Sequence, residues 1–211
     1  MKYRDFLQKL IYVVINPVVK GLIRIGVTPN IVSFTGFLVN MVAAWLFVEA
    51  AGVDGTYGHF TVAGLVLLFG SLFDMLDGQV ARLGNMQSRF GAMFDSILDR
   101  YSEMLTLLAV AYFFFAKGAE VWGLVTFLAM LGSVMVSYVR ARAEGEGLEC
   151  KVGLLQRPER CVILIVAALL TGLLEEVAVM QWAMAIIAVL ANLTAFWRII
   201  YCKKQIEKEN A

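Results

Sequence analysis

Long apolar runs separated by short polar links dominate this chain. Crossing a bilayer takes roughly 20 consecutive apolar residues, and runs of about that length lie near 31–52, 60–83, 91–116, 120–141, 159–175 and 177–200. They predict helices. Upstream, residues 4–26 mix Lys9, Lys20 and Arg24 with Leu, Ile and Val and contain Pro17. That mixture reads as an amphipathic helix lying in the membrane interface rather than crossing it. Thr28-Pro29-Asn30 then breaks the chain, because the residue before a proline is biased away from helix, and Asn30 is placed to cap the first span. The expected fold is all-α and a single domain over 1–211. A juxtamembrane interfacial helix within 1–30 precedes an integral membrane bundle of six transmembrane helices over 31–202, and 203–211 form a tail.

Composition supports immersion in lipid. The chain is 60% apolar, whereas a soluble domain is nearer half. Net charge is only +1, and no basic stripe interleaves with aromatics, so a nucleic-acid partner is not expected. Cys150, Cys161 and Cys202 show no paired spacing, which argues against a disulfide or zinc framework. The N-terminal MKYRDFLQKLIYVV has no long apolar core and no small-residue cleavage site, so no removable signal peptide is expected.

Charge also orients the bundle. Lys2, Arg4, Lys9, Lys20 and Arg24 precede the first run, and Arg82 and Arg89 flank the second link. Arg140, Arg142, Lys151, Arg157 and Arg160 flank the fourth, and Arg198, Lys203, Lys204 and Lys208 close the chain. The opposite links hold almost no Lys or Arg. Basic residues are retained on the cytoplasmic side, so the expectation is a multi-pass protein of the cell (inner) membrane with both termini facing the cytoplasm.

Against that background, four aspartates are out of place. Asp74, Asp77, Asp95 and Asp99 lie in DMLDGQVARLGNMQSRFGAMFDSILD, between long apolar stretches. A carboxylate within a membrane helix costs a few kcal/mol on insertion scales. A hairpin turning near Met86 puts Asp77 and Asp95 nine residues from the turn on either side, with Asp74 and Asp99 deeper. Within each helix the pair spacing, i to i+3 and i to i+4, keeps both acids on one face. All four can therefore converge on one cavity. Oxygen-only ligands suit hard cations such as Mg2+ or Mn2+, and two such ions would suit phosphoryl transfer. Gly78 and Gly91 leave backbone open beside the acids, and Arg82 can pair with phosphate. Aspartates that merely pair with arginines to lock helices are the plainer reading, but Arg82, Arg89 and Arg100 are too few to balance four acids.

Asp74, Asp77, Gly78, Ala81, Arg82, Gly91, Asp95 and Asp99 form D-x-x-D-G-x-x-A-R, eight residues, then G-x-x-x-D-x-x-x-D. This resembles, without departure, the signature of the CDP-alcohol phosphotransferases. The resemblance implies a site holding two Mg2+ ions, or Mn2+ in their place, on Asp74, Asp77, Asp95 and Asp99. It also implies that Asp99 is the base that deprotonates an acceptor hydroxyl. Thr28, Pro29, Asn30 and Ile31 would line the CDP-diacylglycerol pocket together with Asp74, Asp77, Gly78, Ala81, Arg82 and Ser88. A homodimer in contact with membrane lipids is implied as well.

The second half is similar to bacterial phosphatidylinositol phosphate synthases, at Ser137-Tyr138-Val139-Arg140-Ala141-Arg142-Ala143-Glu144 and at Gln156-Arg157-Pro158-Glu159-Arg160. The entry segment GLIRIGVTPNIVS is similar too. By that resemblance Ser137, Arg140, Arg157 and Arg198 would hold the phosphate of a phosphorylated polyol acceptor, inositol 1-phosphate. A lysine is usual where Arg140 stands, so the charge is kept. Glycerol 3-phosphate, free inositol or serine are alternative acceptors. A cation-coupled transporter is the alternative of another class, and the confinement of the acids to one hairpin argues against it. Lys203, Lys204 and Lys208 read as anchors at the membrane surface, and His59 as a solvated loop residue. Gly64, Gly70, Ala109 and Gly132 read as helix-packing positions.

Overall fold

The fold is given by a computed structural model that describes residues 15–52 and 56–209. Those residues form seven helices and no strand. They are α1 (15–24), α2 (Pro29–Gly52), α3 (Thr56–Leu83), α4 (Arg89–Ala116), α5 (Glu120–Gly145), α6 (Arg157–Leu174) and α7 (Ala178–Glu209). Six of them coincide with the six apolar runs. The expected interfacial helix lies partly outside the described residues; its described part is α1.

Among the described residues, four helices are long and apolar enough to cross a membrane: Pro29–Gly52, Tyr57–Leu83, Glu120–Gly145 and Ala178–Lys208. Of the six helices that match apolar runs, the remaining two, α4 and α6, carry charge. In α4 the sequence includes Asp95, Asp99, Arg100 and Glu103, and the first turn of α6 holds Arg157, Glu159 and Arg160.

Helix ends follow local chemistry. Pro29 occupies the first helical position of α2, so Thr28 rather than Asn30 stands at its N-cap, its carbonyl accepting from Ile31 and Val32 at 3.1 and 3.3 Å. Four ends close with the paired bonds of a Schellman motif, that of α4 through Ala119 N–H to Phe114 and Gly118 N–H to Phe115. In α1, Val27 N–H donates to Leu22 and Gly26 N–H to Ile23, with Gly26 at φ +79°. In α3, Met86 N–H donates to Ala81 and Asn85 N–H to Arg82, with Asn85 at φ 52°. In α5, Leu148 N–H donates to Ala143 and Gly147 N–H to Glu144. Gly147, at φ +78°, thus ends a helix. His59, expected in a loop, lies within the first turn of α3, because that helix starts ahead of the apolar run.

The chain divides into two compact units. One comprises the residues up to Asn40 together with Leu67–Ser102; the other comprises Met41–Val66 and the chain from Glu103 onward. In the first, Ile15 and Val19 of α1 are buried with Val32 and Val80, and Leu22, Ile23 and Phe73 pack against them. The spacing 15, 19, 22, 23 is one helical face, while Lys20 and Arg24 on the other are exposed. Small residues let α2 and α3 approach closely: a Cβ on Gly36 would stand 2.7 Å from Phe73 Cβ, and one on Gly70 2.5 Å from Asn40 Oδ1.

The second unit has an aromatic core. Phe47, Phe60, Phe113 and Phe114 are buried and meet edge to face at centroid distances of 5.3, 4.9 and 5.5 Å. Here too the small residues are contact points. A Cβ on Gly64 would meet Leu169 at 2.9 Å, and one on Gly132 would meet Asn192 at 2.6 Å. Arg160 and Glu103 form a buried two-pronged ion pair, at 2.5 and 2.9 Å, with side chains 2% and 8% exposed.

Candidate metal centre

Three elements of the first unit build the centre: the start of α2, the end of α3 and the start of α4. The hairpin between α3 and α4 turns at residues 84–88, as the aspartate spacing required. Asp74, Asp95 and Asp99 each offer a carboxylate oxygen, and the three lie within 4.8 Å of one another. Opposite ligands of an octahedral Mg2+ are about 4.2 Å apart, from metal–oxygen distances near 2.1 Å. The three oxygens are therefore almost at coordinating separation, and their hard, all-oxygen chemistry fits Mg2+ or Mn2+. Asp99 also lies 3.6 Å from Arg100 Nη1, whose guanidinium donates to the Ser96 carbonyl at 2.9 Å.

Asp77 is held differently. It is only 6% exposed, and its Oδ2 accepts a 2.6 Å hydrogen bond from Ser33 Oγ on α2. Ser33 Oγ is also 3.2 Å from the Pro29 carbonyl, but a hydroxyl has one proton, and the shorter contact to the carboxylate takes it. Asp77 remains close enough to Asp95 and Asp74 to feel their charges. Ser33 was not singled out by the spacing of the acids. Its signal was its place at the end of the GLIRIGVTPNIVS segment, one helical turn after Pro29.

The remaining positions of the motif frame these acids. The Arg82 guanidinium lies over Gly78, where a Cβ would come 3.5 Å from Nη2. Ser88 is the N-cap of α4, its Oγ accepting from Gly91 N–H at 2.9 Å. A Cβ on Gly91 would stand 2.9 Å from Ser88 Oγ and 3.1 Å from Asn30 Oδ1. Gly91 is thus a point of close approach between α4 and the start of α2, where a side chain would have to displace the Ser88 hydroxyl and the Asn30 amide. The same packing brings Asn30, beside Thr28, Pro29 and Ile31, against the start of the acid-bearing helix.

In the second unit, the residues expected to bind an acceptor phosphate have distinct settings. Arg198 is 2% exposed although Phe196, Trp197, Ile199 and Ile200 around it are exposed. Its Nε donates to the Val152 carbonyl at 2.8 Å and its Nη1 to the Val136 carbonyl at 2.5 Å. Those carbonyls are the partners that a charge on an apolar helix demands. Arg140 pairs with Glu144 at 2.8 Å and lies within charge–charge range of Arg198. Ser137 Oγ donates to the Ser133 carbonyl at 3.4 Å. Arg157 is the first residue of α6, half-buried, after the N-cap Gln156 whose N–H donates to Glu159 at 3.0 Å. The segment before it is tied to α7, with Leu154 and Leu155 N–H both donating to Thr194 Oγ1 at 3.2 Å.

Residues 26–197 match the CDP-alcohol phosphatidyltransferases. The chain belongs to that family. A CDP-alcohol phosphatidyltransferase is a metal-dependent enzyme of the membrane, which accounts for carboxylates gathered among apolar helices. The chain is 33% identical over 190 residues to an archaetidylinositol phosphate synthase of Pyrococcus horikoshii, covering 89% of this chain and 90% of that one. It is 32% identical over 185 residues to a phosphatidylinositol phosphate synthase of Mycobacteroides abscessus, covering 87% and 81%. Its fold is similar to the crystal structure of phosphatidylinositol phosphate synthase of Mycobacterium tuberculosis with CDP-DAG bound. The TM-score is 0.81 at 28% identity, over 89% of this chain and 92% of that one. The same enzyme solved with manganese and citrate matches at a TM-score of 0.79 and 27% identity, over 89% and 88%.

Proposed function

We propose that this phosphatidyltransferase moves the phosphatidyl group of CDP-diacylglycerol onto a hydroxyl of inositol 1-phosphate, giving phosphatidylinositol phosphate and CMP. The convergence of Asp74, Asp95 and Asp99 carries the reading, and the named relatives supply the substrate class. Asp74, Asp77, Asp95 and Asp99 hold two Mg2+ ions, or Mn2+. The ions contribute positive charge that neutralises the diphosphate and the departing phosphate. Asp99 takes the proton of the acceptor hydroxyl, that oxygen attacks the lipid-side phosphorus in line, and the bond to CMP breaks. Thr28, Pro29, Asn30, Ile31, Gly78, Ala81, Arg82 and Ser88 line the donor pocket. The open backbone at Gly78 beneath Arg82 supports close approach of a phosphate there.

Ser137, Arg140, Arg157 and Arg198 hold the acceptor phosphate. Arg198 does so while two of its N–H groups stay on carbonyls, so its role includes fixing the geometry of the group. The protein crosses the cell membrane six times, with α1 in the interface and both termini and the active site cytoplasmic, and it works as a homodimer.

Purified protein supplied with CDP-diacylglycerol, Mg2+ and a panel of acceptors tests this. Inositol 1-phosphate is expected to release CMP and yield phosphatidylinositol phosphate by mass spectrometry, and Asp99→Asn is expected to abolish both. A product from glycerol 3-phosphate, free inositol or serine alone would reassign the acceptor. Arg140→Gln with Arg157→Gln should raise the KM for inositol 1-phosphate; an unchanged KM would remove the phosphate clamp. CMP release at the normal rate by Asp99→Asn would defeat the base.

A further inference from the structure

A cavity with a mixed polar and apolar lining lies within the second unit. Its volume is about 460 Å3. Tyr201, Lys204, Gln205 and Lys208 of α7 form one wall, and Gly147 to Glu149, the turn after α5, form the other. The spacing 201, 204, 205, 208 is a single helical face. Leu148 and Tyr201 belong to the apolar cluster beneath, with Ala143, Cys150 and Cys202.

Three features ask for a ligand. Among the described residues neither Lys204 nor Lys208 has an ion-pair partner, whereas Lys203 on the adjoining face pairs with Glu207 at 3.6 Å. Gln205 Oε1 is buried without a hydrogen-bond partner among the described residues, so it lacks a donor that a bound molecule could bring. The carboxylate in the lining, Glu149, is engaged by Lys151, which reduces its repulsion of an anion.

The position on α7 selects the source of that anion. Exposed side chains change from Phe196, Trp197, Ile199 and Ile200 to Lys203, Lys204 and Lys208 along this stretch. Ile206, beside the cavity, is also exposed. A helix that leaves an apolar slab does so at the level of phospholipid headgroups.

We propose that this cavity binds the headgroup of an anionic, hydroxyl-bearing glycerophospholipid from the surrounding membrane. Its phosphodiester lies against the Lys204 and Lys208 ammonium groups, and a headgroup hydroxyl donates to Gln205 Oε1. None of its lining residues is assigned above to the metal, the donor or the acceptor, and the proposal does not depend on which acceptor is used.

Local protection of the lysines tests it without reference to activity. The full chain is placed in nanodiscs of phosphatidylcholine, with or without phosphatidylglycerol, and treated with an amine-acetylating reagent. Peptide mass spectrometry follows Lys203, Lys204 and Lys208. Phosphatidylglycerol is expected to slow acetylation of Lys204 and Lys208 several-fold while Lys203 changes little. Retention of phosphatidylglycerol through detergent purification should fall about five-fold per lysine in Lys204→Gln and Lys208→Gln. Gln205→Leu should reduce retention of phosphatidylglycerol but not of phosphatidic acid, which lacks the headgroup hydroxyl. Equal slowing of all three lysines would mean diffuse attraction to an anionic surface and overturn the proposal. So would equal protection by glycerol 3-phosphate in pure phosphatidylcholine discs, which would make the ligand a soluble phosphate.

Discussion

Replacing Ser33 by alanine tests how the fourth aspartate is positioned. The Ser33 hydroxyl donates a 2.6 Å bond to Asp77 Oδ2 in a buried setting. Bonds to charged groups contribute about 1.5–3 kcal/mol, and alanine leaves a carboxylate oxygen without its donor. Under the proposed function Asp77 is a metal ligand and Ser33 orients it from behind. Loss of such an outer partner typically costs 10- to 100-fold in metal affinity, which is about 1.4–2.8 kcal/mol and agrees with the hydrogen-bond figure. CMP release measured against Mg2+ concentration should therefore show a half-saturating concentration raised 10- to 100-fold in Ser33→Ala. At saturating Mg2+ the rate should largely recover, and Ser33→Thr, which keeps the hydroxyl, should restore the wild-type titration. An unchanged Mg2+ titration accompanied by a lower thermal midpoint would refute the reasoning, because it would make the bond one of packing alone.

Other consequences are independent of the metal. Arg160→Met strands Glu103 in a buried site and should destabilise the protein by about 3–5 kcal/mol in denaturant titrations, whereas Arg160→Met with Glu103→Leu should recover most of that loss. Gly172→Ala places a methyl on Thr61 Oγ1 and 2.6 Å from the Tyr57 carbonyl oxygen, so it should cost about 1–3 kcal/mol. Gly21→Ala in α1, with nothing within 4 Å among the described residues, should be neutral or stabilise by up to about 1 kcal/mol in the same assay. Burial raises the Cys150 thiol to about 11, with the nearby Cys202 adding to the shift. At pH 8 a maleimide should label the half-buried Cys161 and Cys202 well before Cys150. Because the folded value is raised, the stability that the protonated thiol contributes is complete below its ordinary value near 9 and is lost as pH rises toward 11. A Cys150→Ala variant should accordingly show a flatter alkaline decline in thermal midpoint.

Much of this protein is local in origin. Lipid solvation leaves helix as the only economical state for long apolar runs, so the number and extent of the main helices could be read along the chain. The hairpin turn around Met86, the packing roles of Gly64, Gly70 and Gly132, and the pairing of the aspartates by helical spacing were legible for the same reason. Each depends on neighbours within a few residues or on the absence of a side chain. Helix starts were less legible: α2 begins at Pro29 and α3 at Thr56, because caps and first turns need no hydrophobic periodicity.

The tertiary structure decided the partners. Sequence spacing treats Asp77 as equivalent to the other acids, but only packing of α2 against α3 brings Ser33 to it, 44 positions away. Along the chain Arg198 reads as a ligand for phosphate and Arg160 as a flanking cation. Folding commits the first to the carbonyls of Val136 and Val152 and the second to Glu103. A charge inside an apolar protein must be met by whatever group the fold carries to it. The sequence therefore determines where such charges stand along the chain, and the tertiary structure alone determines which group meets each one.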